Sequence, residues 1–163
     1  MFKKQIWKGM AAAAIISTTF AACSKDDAPK KVYRYQTLDL KDNNNTNNGF
    51  ITIAETSDST FNIFMQINKS VMDRQYKFVV FRGNTASAPT DTLIKVGSIL
   101  SETTGAPVLA KLHAIKEIKV DATTSRKFNY DSIINVLAFA RISTPGSLGQ
   151  DSTLALGNIG KSK

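Results

Sequence analysis

The sequence predicts an all-β domain, a Greek-key β-sandwich or flattened barrel of about seven to nine strands. From Val32 onward apolar residues recur with a period of two rather than 3.6, and turn-forming residues interrupt the chain at short, regular intervals. The 163 residues are 42% hydrophobic and 21% charged, a globular composition, and nine Gly with four Pro exclude collagen-like and low-complexity chains. That length suits one domain with a short remainder.

The elements follow in order. Val32 to Leu40, Phe50 to Glu55, Thr60 to Asn68 and Tyr76 to Arg82 each read as strands. The third alternates Phe61, Ile63, Met65 and Ile67 against Asn62, Phe64, Gln66 and Asn68, so one face is apolar and Phe64 is the exception on the other. Leu93 to Leu100 is a further strand, and Val108 to Val120 is long enough to bend or break near His113. Tyr130 to Asn135 suits a single helical turn before the strands Asn135 to Ile142 and Thr153 to Ile159. Between them lie Asn43 to Gly49, Gly83-Asn84, Ala88-Pro89, Gly105-Ala106-Pro107 and Thr144-Pro145-Gly146, all turn chemistry. The spacing is that of an immunoglobulin-like sandwich or a related barrel, and a chain of this size needs no disulfide or metal to hold its core.

Residues 1–22 read as a signal peptide. Lys3, Lys4 and Lys8 form a basic start, and Met10 to Phe20 is an apolar run shorter than the ~20 residues a membrane span requires. Phe20-Ala21-Ala22-Cys23 then resembles a bacterial lipobox, with Phe20 in place of the usual Leu. That resemblance implies cleavage before Cys23 and acylation of its thiol and freed amine; two or more acyl chains anchor stably where one is marginal. Ser24-Lys25-Asp26-Asp27 resembles the export signal of Bacteroidota lipoproteins, which implies display on the outer face of the outer membrane, with the periplasmic leaflet as the alternative. Residues 23–31 are thus expected to be the acylated cysteine and a tether, and 32–160 the single β domain. Removing the three lysines of the signal from 21 basic residues leaves 18 against 13 acidic ones, a formal charge of +5. Lys95, Lys111, Lys116, Lys119, Arg126 and Lys127 are dispersed among strands without an aromatic-interleaved stripe, so nucleic acid is not an expected partner.

Gly49 to Glu55 with Ser59 to Ile63, and Asn135 to Ile142 followed by Leu156-Gly157-Asn158-Ile159-Gly160, resemble the CHRD domain in its bacterial lipoprotein form. The resemblance covers about residues 33 to 160 and implies a β-sandwich. Members of that family often carry histidines in the middle strands, whereas this chain has His113 alone.

Catalytic and metal chemistry find little support. One histidine and one cysteine exclude His-pair, His-triad and thiolate metal sites, and His113, on the same side of its strand as Lys111, has no neighbouring motif to orient it as a base. Asp42 to Gly49 is rich in oxygen ligands, but its glycine is eighth and Ile53 stands where an EF-hand needs its twelfth-position Glu, so it reads as a polar hairpin loop. No cofactor or metal is expected. Asp58-Ser59-Thr60, Asp91-Thr92-Leu93, Asp131-Ser132-Ile133 and Asp151-Ser152-Thr153 resemble the O-glycosylation triplet of Bacteroidota, with Ser59, Thr92, Ser132 and Ser152 as acceptors, or else cap turns just before strands. Tyr33, Tyr35, Phe128, Tyr130 and Phe139 suit either a core or a sugar-stacking rim. The expected function is a surface-anchored, non-catalytic binding or structural domain, monomeric, with a glycan, an envelope component or a protein as ligand. The alternative is a small lipoprotein hydrolase using Asp39, Glu102, Glu117 or Asp121.

Overall fold

The computed structural model describes residues 31–86, 91–119, 123–146 and 149–162; Cys23, the Ser24 to Asp27 signal and Asp121 lie outside them. Ten strands and one short helix are present among the described residues. They are β1 (Tyr35–Lys41), β2 (Asn47–Glu55), β3 (Phe61–Ile67), β4 (Gln75–Arg82), β5 (Thr92–Leu100), β6 (Val108–Ile115), β7 (Glu117–Lys119), β8 (Ser125–Lys127), α1 (Tyr130–Asn135), β9 (Leu137–Pro145) and β10 (Asp151–Gly160). Eight strands form one antiparallel sheet in the order β5-β4-β9-β10-β1-β2-β3-β6, which nearly closes into a flattened barrel.

The sheet is continuous within two halves and thin between them. β5-β4-β9-β10 and β1-β2-β3-β6 are each joined by long ladders, whereas β1 meets β10 at one registered pair, Lys41 with Leu156. No ladder joins β5 to β6 at the other margin, where Gly97 faces the Cβ of Ala110. The apolar inner faces of the halves meet in one core. Ile51, Ile53, Phe61, Ile63, Met65, Phe78, Val80, Ala140 and Ile142 are all buried in it. Burying each large side chain stabilises the fold by roughly 1.5–3 kcal/mol.

Local chemistry explains the boundaries. β1 starts at Tyr35 rather than Val32 because its partner β2 ends at Glu55, whose amide donates to the Arg34 carbonyl (2.8 Å) as the last backbone bond between them. In the β1–β2 turn, Asp42 Oδ1 accepts from the amides of Asn44 and Thr46 (both 2.9 Å), and Asn45 takes φ 59°. Gly49 is a glycine for a steric reason and not for a positive φ: a Cβ there would lie 2.3 Å from the Gln66 carbonyl oxygen of β3. The expected break near His113 falls at Ala114 to Lys116, where Ala114 adopts φ 52° and its amide donates to Asn62 Oδ1 (2.9 Å). α1 is opened by Asn129, whose Oδ1 accepts from the Ser132 amide (3.0 Å) while Ser132 Oγ accepts from the Asn129 amide (3.3 Å).

Direction along the antiparallel order sorts the connections between the two ends of the barrel. One end holds the entry at Val32 to Arg34, the β2–β3 turn, the β4–β5 connection, the β7–β8 ribbon, α1 and the end of β10. The other holds the Asp42 turn and the β3–β4, β5–β6 and β9–β10 connections.

Candidate functional site

The outward face of β1-β2-β3-β6 carries the side chains that suit recognition. Strand alternation turns Tyr35, Thr37 and Asp39 outward from β1, Phe50, Thr52 and Ala54 from β2, Asn62, Phe64 and Gln66 from β3, and Leu109, Lys111 and His113 from β6. Register sets these in rows across the strands. Thr37, Thr52, Phe64 and Lys111 form one row, and Asp39, Phe50, Gln66 and Leu109 the next. Phe50 and Phe64 are therefore diagonal neighbours, ~7–8 Å apart along the face. Tyr35 is 75% exposed, and both phenylalanines are half-buried in strands whose inner residues are fully covered.

Two contacts fix the rings and hydroxyls. His113 meets Phe64 edge to face with centroids 5.5 Å apart, and the Thr37 and Thr52 hydroxyls lie 2.8 Å from each other. The outcome is an uneven floor of aromatic faces separated by hydroxyl, amide, carboxylate and ammonium groups. Such a surface can stack against an apolar ring face while hydrogen-bonding to its substituents. Phe64, the residue that breaks the apolar alternation of β3, stands at its centre.

The other half-sheet differs. Phe81 and Phe139 also point outward and stack at 5.4 Å, but both are buried, and Arg141 lies 4.6 Å above the Phe81 ring. The Thr85 amide donates to Asn158 Oδ1 (2.9 Å), which ties the residues just after β4 to β10.

A charged clamp holds the entry end. Arg34 Nε and Nη2 donate to Glu55 Oε2 and Oε1 (2.9 and 3.1 Å), and Nη1 donates to Asp131 Oδ1 (2.8 Å). Its guanidinium lies 4.7 Å from the Tyr130 ring centroid. The bonds to Glu55 and then Asp131 push the Arg34 pKa further above its ordinary value, and burial raises that of the Tyr130 phenol despite the nearby cation. Each charge is answered by another, so the cluster fastens the residue before β1 to β2 and α1.

The sequence-derived candidates are placed as follows. Ser59 and Thr92 are exposed just before or at the start of β3 and β5, and Ser152 is exposed at the start of β10. Asp131-Ser132 departs from the expected turn before a strand: it lies in α1, and the Ser132 hydroxyl also bonds Asn129 Oδ1 (2.8 Å) within the cap. Of the aromatics, Phe128, Tyr130 and Phe139 belong to the buried set, while Tyr33 and Tyr35 are exposed. Glu102 and Glu117 stand at opposite ends of the barrel, and Asp39 is exposed on β1, so these acids form no pair. Among the described residues no three His, Cys, Asp or Glu side chains approach closely enough to hold a metal ion. Neither a family model, nor a curated protein, nor a solved structure matches the chain.

Proposed function

We propose that the chain is a lipid-anchored protein of the bacterial outer-membrane surface whose CHRD-like β domain binds glycan, without catalysis, through the outward face of β1-β2-β3-β6. The observation that carries the binding reading is the alternation on that face of Tyr35, Phe50, Phe64 and His113 with Thr37, Thr52, Asn62 and Gln66. Half-buried rings are held rigidly enough to stack on a sugar at little entropic cost, and the polar side chains between them match its hydroxyls. The anchoring reading rests on Ala21-Ala22-Cys23 and Ser24-Lys25-Asp26-Asp27.

Two experiments test these readings separately. Calorimetric titration against a panel of envelope and other polysaccharides should find a ligand whose affinity falls at least about tenfold in Phe50→Ala/Phe64→Ala, since each stacked ring contributes ~0.5–1.5 kcal/mol beyond its area. An undiminished affinity would remove the face from the reading. For the anchor, Cys23→Ala should leave the detergent phase that holds the wild type, and protease added to intact cells should digest the wild type. A mutant that partitions like the wild type would end the lipoprotein reading.

A further inference from the structure

We propose that the end of the barrel at which the tether enters is a second contact surface, one that lies on the anionic headgroup surface of the membrane holding the anchor. This rests on the lipid-anchor reading of Cys23.

The first support is the distribution of unpaired charge. Six exposed cations at that end, Lys95, Lys116, Lys119, Arg126, Lys127 and Lys161, have no ion-pair partner among the described residues. Glu117 is the one unpaired carboxylate described there: Glu55 and Asp131 are held by Arg34, Asp91 by Arg82, and Asp58 is also engaged. At the far end Lys41, Lys69 and Arg74 are balanced by Asp42, Asp73 and Glu102. The sequence scatters these bases over more than sixty residues, and the fold gathers them at one end.

The second support is the shape of that end. β5 and β6 approach at Gly97 and Ala110 and then splay, leaving a groove of about 650 Å3 whose charged lining is three cations, Lys95, Lys116 and Lys119, against one carboxylate, Glu117. Both margins of the groove are sheet edges whose outward amides and carbonyls have no ladder partner. Ala114, in the left-handed region, lines it too, a strained backbone of the kind that marks sites. The approach of Gly97 to Ala110 closes the groove at its inner limit, so an added strand cannot run its length. A compact anionic group entering from the open end fits.

The third support is reach. Arg34 is fixed to this end by Glu55 and Asp131, and the eleven residues back to Cys23 extend at most ~40 Å. A short linker raises the effective concentration of the lipid surface at the end it joins, and that end carries the charge complementary to acidic headgroups.

The test uses the lipidated chain bound to vesicles of phosphatidylcholine alone or of phosphatidylcholine with phosphatidylglycerol. Lysine acetylation by an N-hydroxysuccinimide ester is followed residue by residue by mass spectrometry. Anionic vesicles should slow modification of Lys95, Lys116, Lys119 and Lys127 about fivefold, with high salt abolishing the effect, while Lys69 reacts equally on both. Lys116→Gln/Lys119→Gln/Lys127→Gln, all at exposed sites, should remove the protection of Lys95. Equal rates on the two vesicle types, or slowing of Lys69 as well, would overturn the proposal. Protection by soluble polygalacturonate but not by anionic vesicles would overturn it too, assigning the cations to an acidic polymer. Failure to attach to phosphatidylcholine vesicles would remove the anchor alone, since protection on anionic vesicles would still report the charged end.

Discussion

Replacing Gly49 by Ala should be among the most damaging small changes in the protein. The added Cβ would lie 2.3 Å from the Gln66 carbonyl oxygen and 3.3 Å from Ile142 Cδ1, with β1 on the other side at Leu40. A carbon–oxygen contact needs about 3.3 Å, so β3 must withdraw by roughly 1 Å, a fifth of the ~4.8 Å strand spacing. The bond from the Asn68 amide to the Asn48 carbonyl (2.9 Å) lies beside the intrusion. Losing one or two ladder bonds at about 1 kcal/mol each, with some overpacking strain, gives about 3 kcal/mol, or roughly a 10 °C fall in Tm. Gly97→Ala is the control. Its Cβ would meet Ala110 Cβ at 3.4 Å, an ordinary contact, and the less flexible unfolded chain should leave stability unchanged or raised by up to ~1 kcal/mol. Urea unfolding of both variants reads the difference directly. Equal stabilities would refute the β2–β3 register on which the steric argument stands.

Two further outcomes are expected. Ala114→Gly should relieve the left-handed backbone at φ 52° and stabilise the fold by up to about 1 kcal/mol in the same urea assay, the strain removed exceeding the added flexibility; a destabilised variant would contradict the strain. The Tyr130 phenol, raised above the ordinary 10.0 by burial, lets the folded state hold a proton that the unfolded state releases, so stability should be complete below pH 10 and fall as pH rises through the folded pKa. Tyr130→Phe should remove that part of the alkaline loss in melts followed from pH 9 upward, and an unchanged alkaline slope would contradict it.

What was legible in the sequence was local. The alternation of β3 foretold its buried face, and the Phe that broke it proved to be the centre of the outward aromatic surface. The single turn at Tyr130 to Asn135 was readable because Asn129 and Ser132 cap it through neighbouring backbone. β8 was not readable: Ser125, Arg126 and Lys127 are all exposed, and only pairing with Glu117 to Lys119 makes them a strand. The sheet order was equally hidden, because periodicity tells which face of a strand is buried but not which strand lies beside it. With the order unknown, Lys95 and Lys116 stood as separate surface charges rather than opposite walls of one groove. The requirement for Gly49 likewise came from another strand's carbonyl, outside the reach of its own neighbours.

The joint between the two half-sheets has a thermal consequence. Parting the halves along the β1/β10 and β5/β6 margins would sever few backbone bonds, since one margin has a single registered pair and the other has no ladder. Opposition to that motion comes almost wholly from the apolar inner faces, and such burial weakens as water cools. The ladders within each half hold by hydrogen bonds and do not share that weakness. The margins should therefore loosen toward freezing while each half stays intact, making the barrel softest along its joints in the cold rather than evenly stiffer throughout.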